Sequence, residues 1–315
     1  MSGSALPIPN GWFKLLLSSE LKRGEIKNID ALGRRFVVFR GESGKAGVLD
    51  AHCPHLGAHL GVGGTVVGDT IRCPFHGWQW SGQGQCMAIP YADRIPPGAR
   101  AQSWTVDEIN GHIFIWHHTG NGKAEPFYRI PKIDFFGSPE WTSDWVQYSW
   151  DLRTHPQEVM ENAIDWAHFM IVHKTAPPKH RESHFEDAMF KWVIDAPLDN
   201  VVGGPSENLY LIGENWGLGF NSIHYRGATE TFSVATLTPL NNGLMRLTNH
   251  VIGKKGNRSE ADAMGELKAQ MEEQSHIVAQ DFAIWENKSY RDKPMLCDGD
   301  GPILEFRLWA RQFYA

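Results

Sequence analysis

Cys53-Pro54-His55 and Cys73-Pro74-Phe75-His76-Gly77-Trp78 are the two stretches on which the reading of this chain turns. Seventeen residues separate His55 from Cys73, so the pattern is Cys-x-His, a long gap, then Cys-x-x-His. Two thiolates and two imidazoles suit a soft-to-borderline metal centre. Two plainer explanations compete: unlinked buried cysteines, and a structural zinc with the same four ligands. Zinc patterns group Cys with Cys and His with His, whereas here each arm carries one of each. That arrangement fits a two-iron, two-sulfide cluster with both thiolates on one iron and both imidazoles on the other. The arms lie on Pro- and Gly-rich loops, with Leu56-Gly57 and His76-Gly77, whose backbone N–H groups can reach the sulfides. Cys53, His55, Cys73 and His76 are the expected ligands.

Outward from these loops the sequence reads as β structure. Phe36–Phe39, Ala46–Leu49, Thr65–Val67 and Ile113–Trp116 are short strand-like runs, bounded by Gly41, Gly44, Gly68 and Asn110-Gly111. An all-β domain over residues 1–120 is expected, ending at the composition shift Thr119-Gly120-Asn121-Gly122-Lys123. Residues 121–315 read as mixed, which makes the fold class α+β. Thr154-x-x-Gln157, with Pro156 in the first turn, predicts a helix capped at Thr154. Leu209–Ile212, Thr231–Leu237 and Met245–Val251 read as strands. One long helix is expected from Ser259, opened by Ser259-x-x-Asp262, to Asn287, ahead of Pro294. His52 and His59 fall outside the ligand spacing and read as loop residues. Cys86 and Cys297 fit neither arm and are expected as small buried hydrophobes.

Composition narrows the function. Of 315 residues 42% are apolar and 21% charged, with a net charge of −6, which excludes a disordered chain. No basic stripe offers a footprint for nucleic acid. No apolar run approaches the ~20 residues that span a bilayer. Met1–Trp12 has neither a basic nor an apolar signal region, so a cytoplasmic location is expected, with the 4 cysteines reduced. The 13 Trp and 15 His point to aromatic-lined pockets and to further metal ligands.

Those ligands are sought in Glu161-Asn162-Ala163-Ile164-Asp165-Trp166-Ala167-His168-Phe169-Met170-Ile171-Val172-His173. At ~100° per residue, Glu161, Asp165 and His168 share one helical face. His173 lies about 140° from His168 on a regular helix, so both can hold one ion only if the helix bulges, tightens or ends between them. A plain amphipathic helix with two satisfied histidines is the alternative, and the whole Glu-x3-Asp-x2-His-x4-His string argues against it. On the long C-terminal helix, Met264, Leu267, Met271, Val278 and Trp285 form a buried stripe that also carries Asp281. A buried carboxylate needs a cation or hydrogen-bonding partners. Two histidines and a carboxylate make the facial triad of non-heme Fe(II) oxygenases, which leaves positions open for O2.

By these two motifs the chain resembles the oxygenase (alpha) components of Rieske non-heme iron oxygenases over nearly its whole length. The resemblance implies an N-terminal Rieske [2Fe–2S] domain followed by a helix-grip (START-like) antiparallel-sheet catalytic domain. It implies mononuclear Fe(II) on His168, His173 and Asp281, with O2 as co-substrate. Electrons would come from NAD(P)H through a separate flavin-containing ferredoxin-type reductase. The two centres of one chain would be too far apart, which implies exchange between neighbouring protomers in a head-to-tail ring, a homotrimer. Asp165 would be the bridge, accepting a hydrogen bond from His168 and reaching a cluster histidine, His76, of the next protomer. Asn162 and Glu161 would support the iron ligands.

Three further segments resemble the 3-ketosteroid 9α-hydroxylase branch, with the cholesterol 7-desaturase branch a close relative. They are Ile89-Pro90-Tyr91-Ala92-Asp93-Arg94-Ile95-Pro96-Pro97, Asp281-x3-Trp285-x2-Lys288 and Leu296-Cys297-Asp298-Gly299-Asp300-Gly301-Pro302. The implied reaction is hydroxylation or desaturation of a steroid-like polycyclic apolar substrate. Trp216, Phe220 and Phe232, with Gly217 and Gly219, suit a cavity wall for a bulky apolar ligand, although aromatics at such positions are core residues at least as often. The chain stops soon after Arg311, so no long C-terminal extension is expected to shape it. An O- or N-demethylase, or a hydroxylase of smaller aromatics, would use the same irons. A Rieske electron carrier with a lipid-binding domain would not need the triad, and a zinc-stabilised structural protein would be colourless.

Overall fold

A computed structural model of the chain describes residues 6–120, 124–175, 180–196, 209–226 and 230–314. Asn121-Gly122-Lys123 of the expected linker lie outside the described residues. The chain forms two compact units, one of Trp12–Pro126 with Leu240–Asn242, the other of Met1–Gly11, Phe127–Pro239 and Gly243–Ala315.

The first unit holds ten short strands: β1 Gly11–Leu17, β2 Ile26–Ala31, β3 Arg34–Arg40, β4 Ala46–Asp50, β5 Thr65–Val67, β6 Thr70–Arg72, β7 Gln79–Ser81, β8 Cys86–Ala88, β9 Val106–Ile109 and β10 His112–His117. They pair as three small sheets, β1-β10-β9, β2-β3-β4 and β5-β6-β7-β8. Phe36 to Phe39 of β3 are buried on both faces, which is why that strand reads as an unbroken apolar run rather than an alternating one. Asn110-Gly111 closes the β9–β10 hairpin, as such a pair does between twisted strands. The loops bearing Cys53 and Cys73 leave β4 and β6, and their thiols pack with Leu49, Leu60, Ile71 and Trp80. Cys86 is buried as expected, but Cys297 is exposed: it sits in a turn where the Asp300 carboxylate accepts its backbone N–H, with no core beside it.

In the second unit, β11 (Val146–Leu152) leads to two short helices, α1 (Pro156–Asn162) and α2 (Trp166–Ile171). Strands β12 (His180–Glu186), β13 (Met189–Ala196), β14 (Leu209–Trp216), β15 (Phe220–Arg226), β16 (Thr231–Pro239) and β17 (Met245–Gly253) follow, then helices α3 (Glu260–Ala279), α4 (Phe282–Asn287) and α5 (Ile303–Ala310). Seven strands form one antiparallel sheet in the order β11-β17-β16-β15-β14-β13-β12. A meander from β12 to β17 is thus closed by β11 on the β17 edge. Helix α3 lies on that edge, with Leu267 and Met271 packed against Val146 and Val251, so the sheet grips the long helix. No helix among the described residues is long and apolar enough to cross a membrane.

Three local expectations are corrected. Helix α1 is capped by His155, whose Nδ1 accepts the Gln157 N–H, while the Thr154 hydroxyl points elsewhere and is buried without a partner among the described residues. Pro156 at N1 permits this shift of one residue, because its missing N–H is not needed there. The helical face expected for Glu161, Asp165 and His168 is interrupted, because α1 ends at Asn162 and α2 restarts at Trp166 under the Asp165 cap, while the helix does end between His168 and His173, at Ile171. The long helix is broken too. It tightens after Ala279, where the N–H groups of Gln280 and Asp281 reach back only three residues, and it resumes as α4.

Candidate metal centres

The two cluster loops repeat one backbone device. The Cys53 N–H donates to the Ala58 carbonyl at 2.8 Å and the Gly57 N–H to the Cys53 carbonyl at 2.9 Å; Cys73, Trp78 and Gly77 do the same at 2.8 and 3.1 Å. Each loop turns at a glycine four residues past its cysteine, with φ of 77° and 74°, a conformation that a side chain resists. This presents a buried thiol and a half-buried imidazole from each loop. The His55 and His76 rings lie 4.9 Å apart. Trp78 stacks flat on His55 at 4.4 Å and donates its Nε1–H to the Tyr91 hydroxyl at 2.8 Å, which braces the imidazole.

These donors fit an iron–sulfur cluster. Burial, with a further push from the adjoining Cys73 thiol, holds the Cys53 thiol above its ordinary range, so that thiol is costly to ionise without a cation. His76 Nδ1 is buried with no partner among the described residues, a vacancy in its hydrogen bonding that a metal fills. His52 and His59 stand apart as an edge-on pair at 5.2 Å, with His59 Nδ1 accepting the Gly61 N–H.

The second donor set forms where a short helix, the turn after it and the break between two further helices meet. His168 comes from α2, His173 from just beyond its end, and Asp281 from the break between α3 and α4. Their ligand atoms lie within 4.8 Å of one another. His173 Nε2 is 3.3 Å from Asp281 Oδ2, and the rings of His168 and His173 stand 5.1 Å apart at 77°. Asp281 is 4% exposed, and its neighbours are these imidazoles and the Asn162 amide, which donates to Oδ2 at 3.4 Å and lies 3.0 Å from His168 Nε2.

Each imidazole is held from behind. His168 Nδ1 lies 2.5 Å from the Asp165 carbonyl, and His173 Nδ1 lies 2.9 Å from Gln280 Oε1. Both contacts place the proton on Nδ1 and turn the Nε2 lone pairs inward, as a metal site needs. Burial pulls the His168 imidazole below its usual range, which keeps it neutral. Burial is the largest single effect on His173 and works the same way, but the Asp281 carboxylate and Gln280 together outweigh it and raise that group, drawing a proton where a cation would sit. Two imidazoles and one carboxylate fit a divalent iron with open positions.

Asp165 departs from the expected geometry. Its backbone carbonyl, not its carboxylate, takes the His168 ring proton; the carboxylate caps α2 by accepting the His168 N–H at 3.3 Å. Glu161 does not join the site. It is turned away to Arg307, which donates to both its carboxylate oxygens at 2.6 and 2.9 Å. Gln280 was missed as a support for His173, and its place beside a buried carboxylate was the available signal.

The triad opens on a cavity of about 230 Å3 between the sheet and the helices. Alternate residues of two central strands face it: Asn221, Ile223 and Tyr225 of β15, and Ser233, Ala235 and Leu237 of β16. Trp216, Phe220 and Phe232 do not line it. Phe220 is fully buried, and Phe232 packs on Phe135 and His224, because the register turns them off the cavity face.

Residues 11–103 match the Rieske [2Fe-2S] domain and residues 115–314 the 3-Ketosteroid 9alpha-hydroxylase C-terminal domain. The chain is 34% identical to cholesterol 7-desaturase nvd 1 of Ciona intestinalis, over 99% of this chain and 70% of that protein. It is 32% identical to a 3-ketosteroid-9-alpha-monooxygenase, oxygenase component, of Rhodococcus rhodochrous, over 96% and 82%. The crystal structure of dicamba monooxygenase bound to dicamba shares the fold, with a TM-score of 0.76 at 19% identity over 98% of each chain. The chain therefore belongs to the Rieske non-heme iron oxygenases whose catalytic domain is of the 3-ketosteroid 9α-hydroxylase type. It is an oxidoreductase with a Rieske [2Fe–2S] cluster and a mononuclear iron.

Proposed function

We propose that this chain is the oxygenase component of a multicomponent monooxygenase that hydroxylates or desaturates a neutral, steroid-like polycyclic substrate. His168, His173 and Asp281 are the iron ligands in this reading, and Cys53, His55, Cys73 and His76 the cluster ligands, with domains of residues 1–120 and 121–315. The observation that carries it is the convergence of three donor atoms on a cavity whose other lining is uncharged. When bound, a ferrous ion with three protein ligands supplies open positions for O2. The chain does the rest. The Asp165 carbonyl and Gln280 orient the two imidazoles. Leu211, Ile223, Leu247 and Trp285 give the reacting space an apolar wall that sheds water. No Lys or Arg lines it among the described residues, so a carboxylated substrate finds no counter-ion. The steroid-directed names of the relatives support a polycycle.

Further parts of the reading rest on the family. Electrons reach the chain from NAD(P)H through a flavin-containing ferredoxin-type reductase in the cytoplasm. The working unit is a homotrimer in which Asp165 couples His168 to a cluster histidine, His76, of the next protomer. One observation favours a second reading: about 230 Å3 is small for a pocket that encloses a polycycle, and suits an O- or N-demethylase of smaller aromatics. Iron analysis and product analysis separate these. The oxygenase reading expects about three Fe per chain and an oxidised sterol from a panel assayed with a ferredoxin reductase. Two Fe per chain would leave an electron carrier, and turnover of small methyl ethers alone would leave the demethylase.

A further inference from the structure

The inner face of β17 carries Leu247, Asn249 and Val251, alternate residues that point the same way. Leu247 lines the cavity and Val251 packs against Leu267 and Met271 of α3, so an apolar side chain would suit the place between them. Asparagine stands there instead. Asn249 lines the cavity beside Ala235, its register partner on β16. It is only part-buried, and its side-chain amide makes no hydrogen bond among the described residues. The other two amides of the sheet floor are sealed and matched: Asn221 donates to Asn215 at 2.5 Å, and Asn215 to the Met160 sulfur at 2.8 Å. The Asn249 amide is open to whatever fills the cavity, with two donors and an acceptor to offer. Water can serve such an amide, and a ligand that displaces the water without replacing its hydrogen bonds loses affinity. Apart from the triad, no charged side chain lines that space among the described residues, so the group that replaces the water is uncharged.

We propose that Asn249 is a specificity-determining residue whose side-chain amide hydrogen-bonds a neutral carbonyl or hydroxyl oxygen of the substrate. This rests on the oxygenase reading above and narrows its substrate to an uncharged molecule that bears such an oxygen. A hydrocarbon of the same skeleton strips the amide of water and returns no hydrogen bond, which is how a site built for an oxygen rejects its deoxy analogue.

The test is equilibrium dialysis of the iron-loaded protein against two probe pairs, a 3-ketosteroid with its 3-deoxy analogue and 1-tetralone with tetralin. Wild type is expected to bind the ketone roughly tenfold more tightly than its deoxy partner, the scale of one recovered hydrogen bond. Asn249→Leu keeps the size of the side chain and removes its polar atoms, so ketone and deoxy compound should bind alike, the deoxy compound at least as tightly as to wild type. Asn249→Ala replaces it as the probe if leucine does not let the chain fold. Equal binding of ketone and deoxy compound by wild type, or an undiminished preference in the variant, overturns the proposal. Binding of the tetralone pair alone refutes the steroid reading while Asn249 is still judged on that pair. Binding of neither pair refutes both.

Discussion

Replacing Gln280 by Leu tests whether the donor set is a metal site or a hydrogen-bonded cluster. The Gln280 side chain is 2.9 Å from His173 Nδ1, and its backbone N–H bonds to Ile277 whatever side chain it carries. Leucine therefore removes one acceptor and leaves the turn intact. The lost bond is neutral and contributes ~0.5–1.5 kcal/mol, and the N–H left behind costs ~1–3 kcal/mol where it stays unmatched. The ring is also released to the other tautomer, in which Nε2 carries the proton and cannot bind metal. Together these predict a loss of ferrous affinity of roughly 10- to 100-fold, the range seen when such supporting groups are removed. Gln280→Glu keeps an acceptor and makes it charged, so affinity should return to wild type or beyond. The assay is competition for ferrous ion against a chelator, with the visible absorbance of the cluster as an internal control. Wild-type iron affinity in Gln280→Leu would refute the assignment of His173 as a ligand held by this residue.

Three further outcomes are expected. Arg307→Met strands the Glu161 carboxylate, 9% exposed, and should destabilise the protein by about 3–5 kcal/mol in a urea melt; Glu161→Gln added to it should restore part of that, and strict additivity would show the pair is not coupled. His112 is fully buried, and burial pulls its pKa from 6.5 to about 3. The unfolded chain therefore binds more protons between these values, so the contribution is whole above pH 6.5 and is lost as pH falls toward 3. It should weaken folding by about 2 kcal/mol at pH 5, and the gap between urea midpoints at pH 7 and 5 should narrow in His112→Phe, with buried His117 and His155 leaving a remainder; an unchanged gap would refute this. Asp165→Asn retains a cap for α2, so it should keep about three Fe per chain yet lose turnover. Rapid single-turnover product formation in that variant would remove Asp165 from the coupling of the two centres.

The candidate cluster ligands could be picked out because the proposed chemistry is local. Cys-x-His and Cys-x-x-His each fit in one tight loop, and the glycine that turns each loop is four residues from its cysteine. The sheet was legible in part: Thr231–Leu237 and Met245–Val251 announce strands that extend to Pro239 and Gly253. What the sequence hid depends on distance along the chain. Glu161 reads as a supporting residue by helical spacing, and only its partner 146 residues away shows that it serves the packing of α5. Gln280 meets His173 across 107 residues, beyond any periodicity. The expected cavity wall failed for a different reason. A strand alternates faces, so a one-residue choice of register moves Phe220 and Phe232 to the core and hands the cavity to Asn221, Ile223 and Ser233.

The break between His168 and His173 follows from their spacing alone, whereas those before Trp166 and after Ala279 leave no mark in the sequence. A straight helix from Glu161 to His173 would set His168 and His173 about 140° apart, and no ion could take both. Ending α2 at Ile171 lets His173 swing back, and the Thr175 N–H, donating to the Phe169 carbonyl, ties the chain down just after it. The tightening at Gln280-Asp281 does the same for the third candidate ligand. In a regular helix the Gln280 and Asp281 side chains would point about 100° apart. Here one backs His173 while the other faces it, at 2.9 and 3.3 Å. The aliphatic stripe of α3 already holds the helix on the sheet through Leu267 and Met271, so the break can be spent on geometry without loosening the fold. Local helical order is given up where His173 and Asp281 must converge on His168, and the packing around them carries the cost.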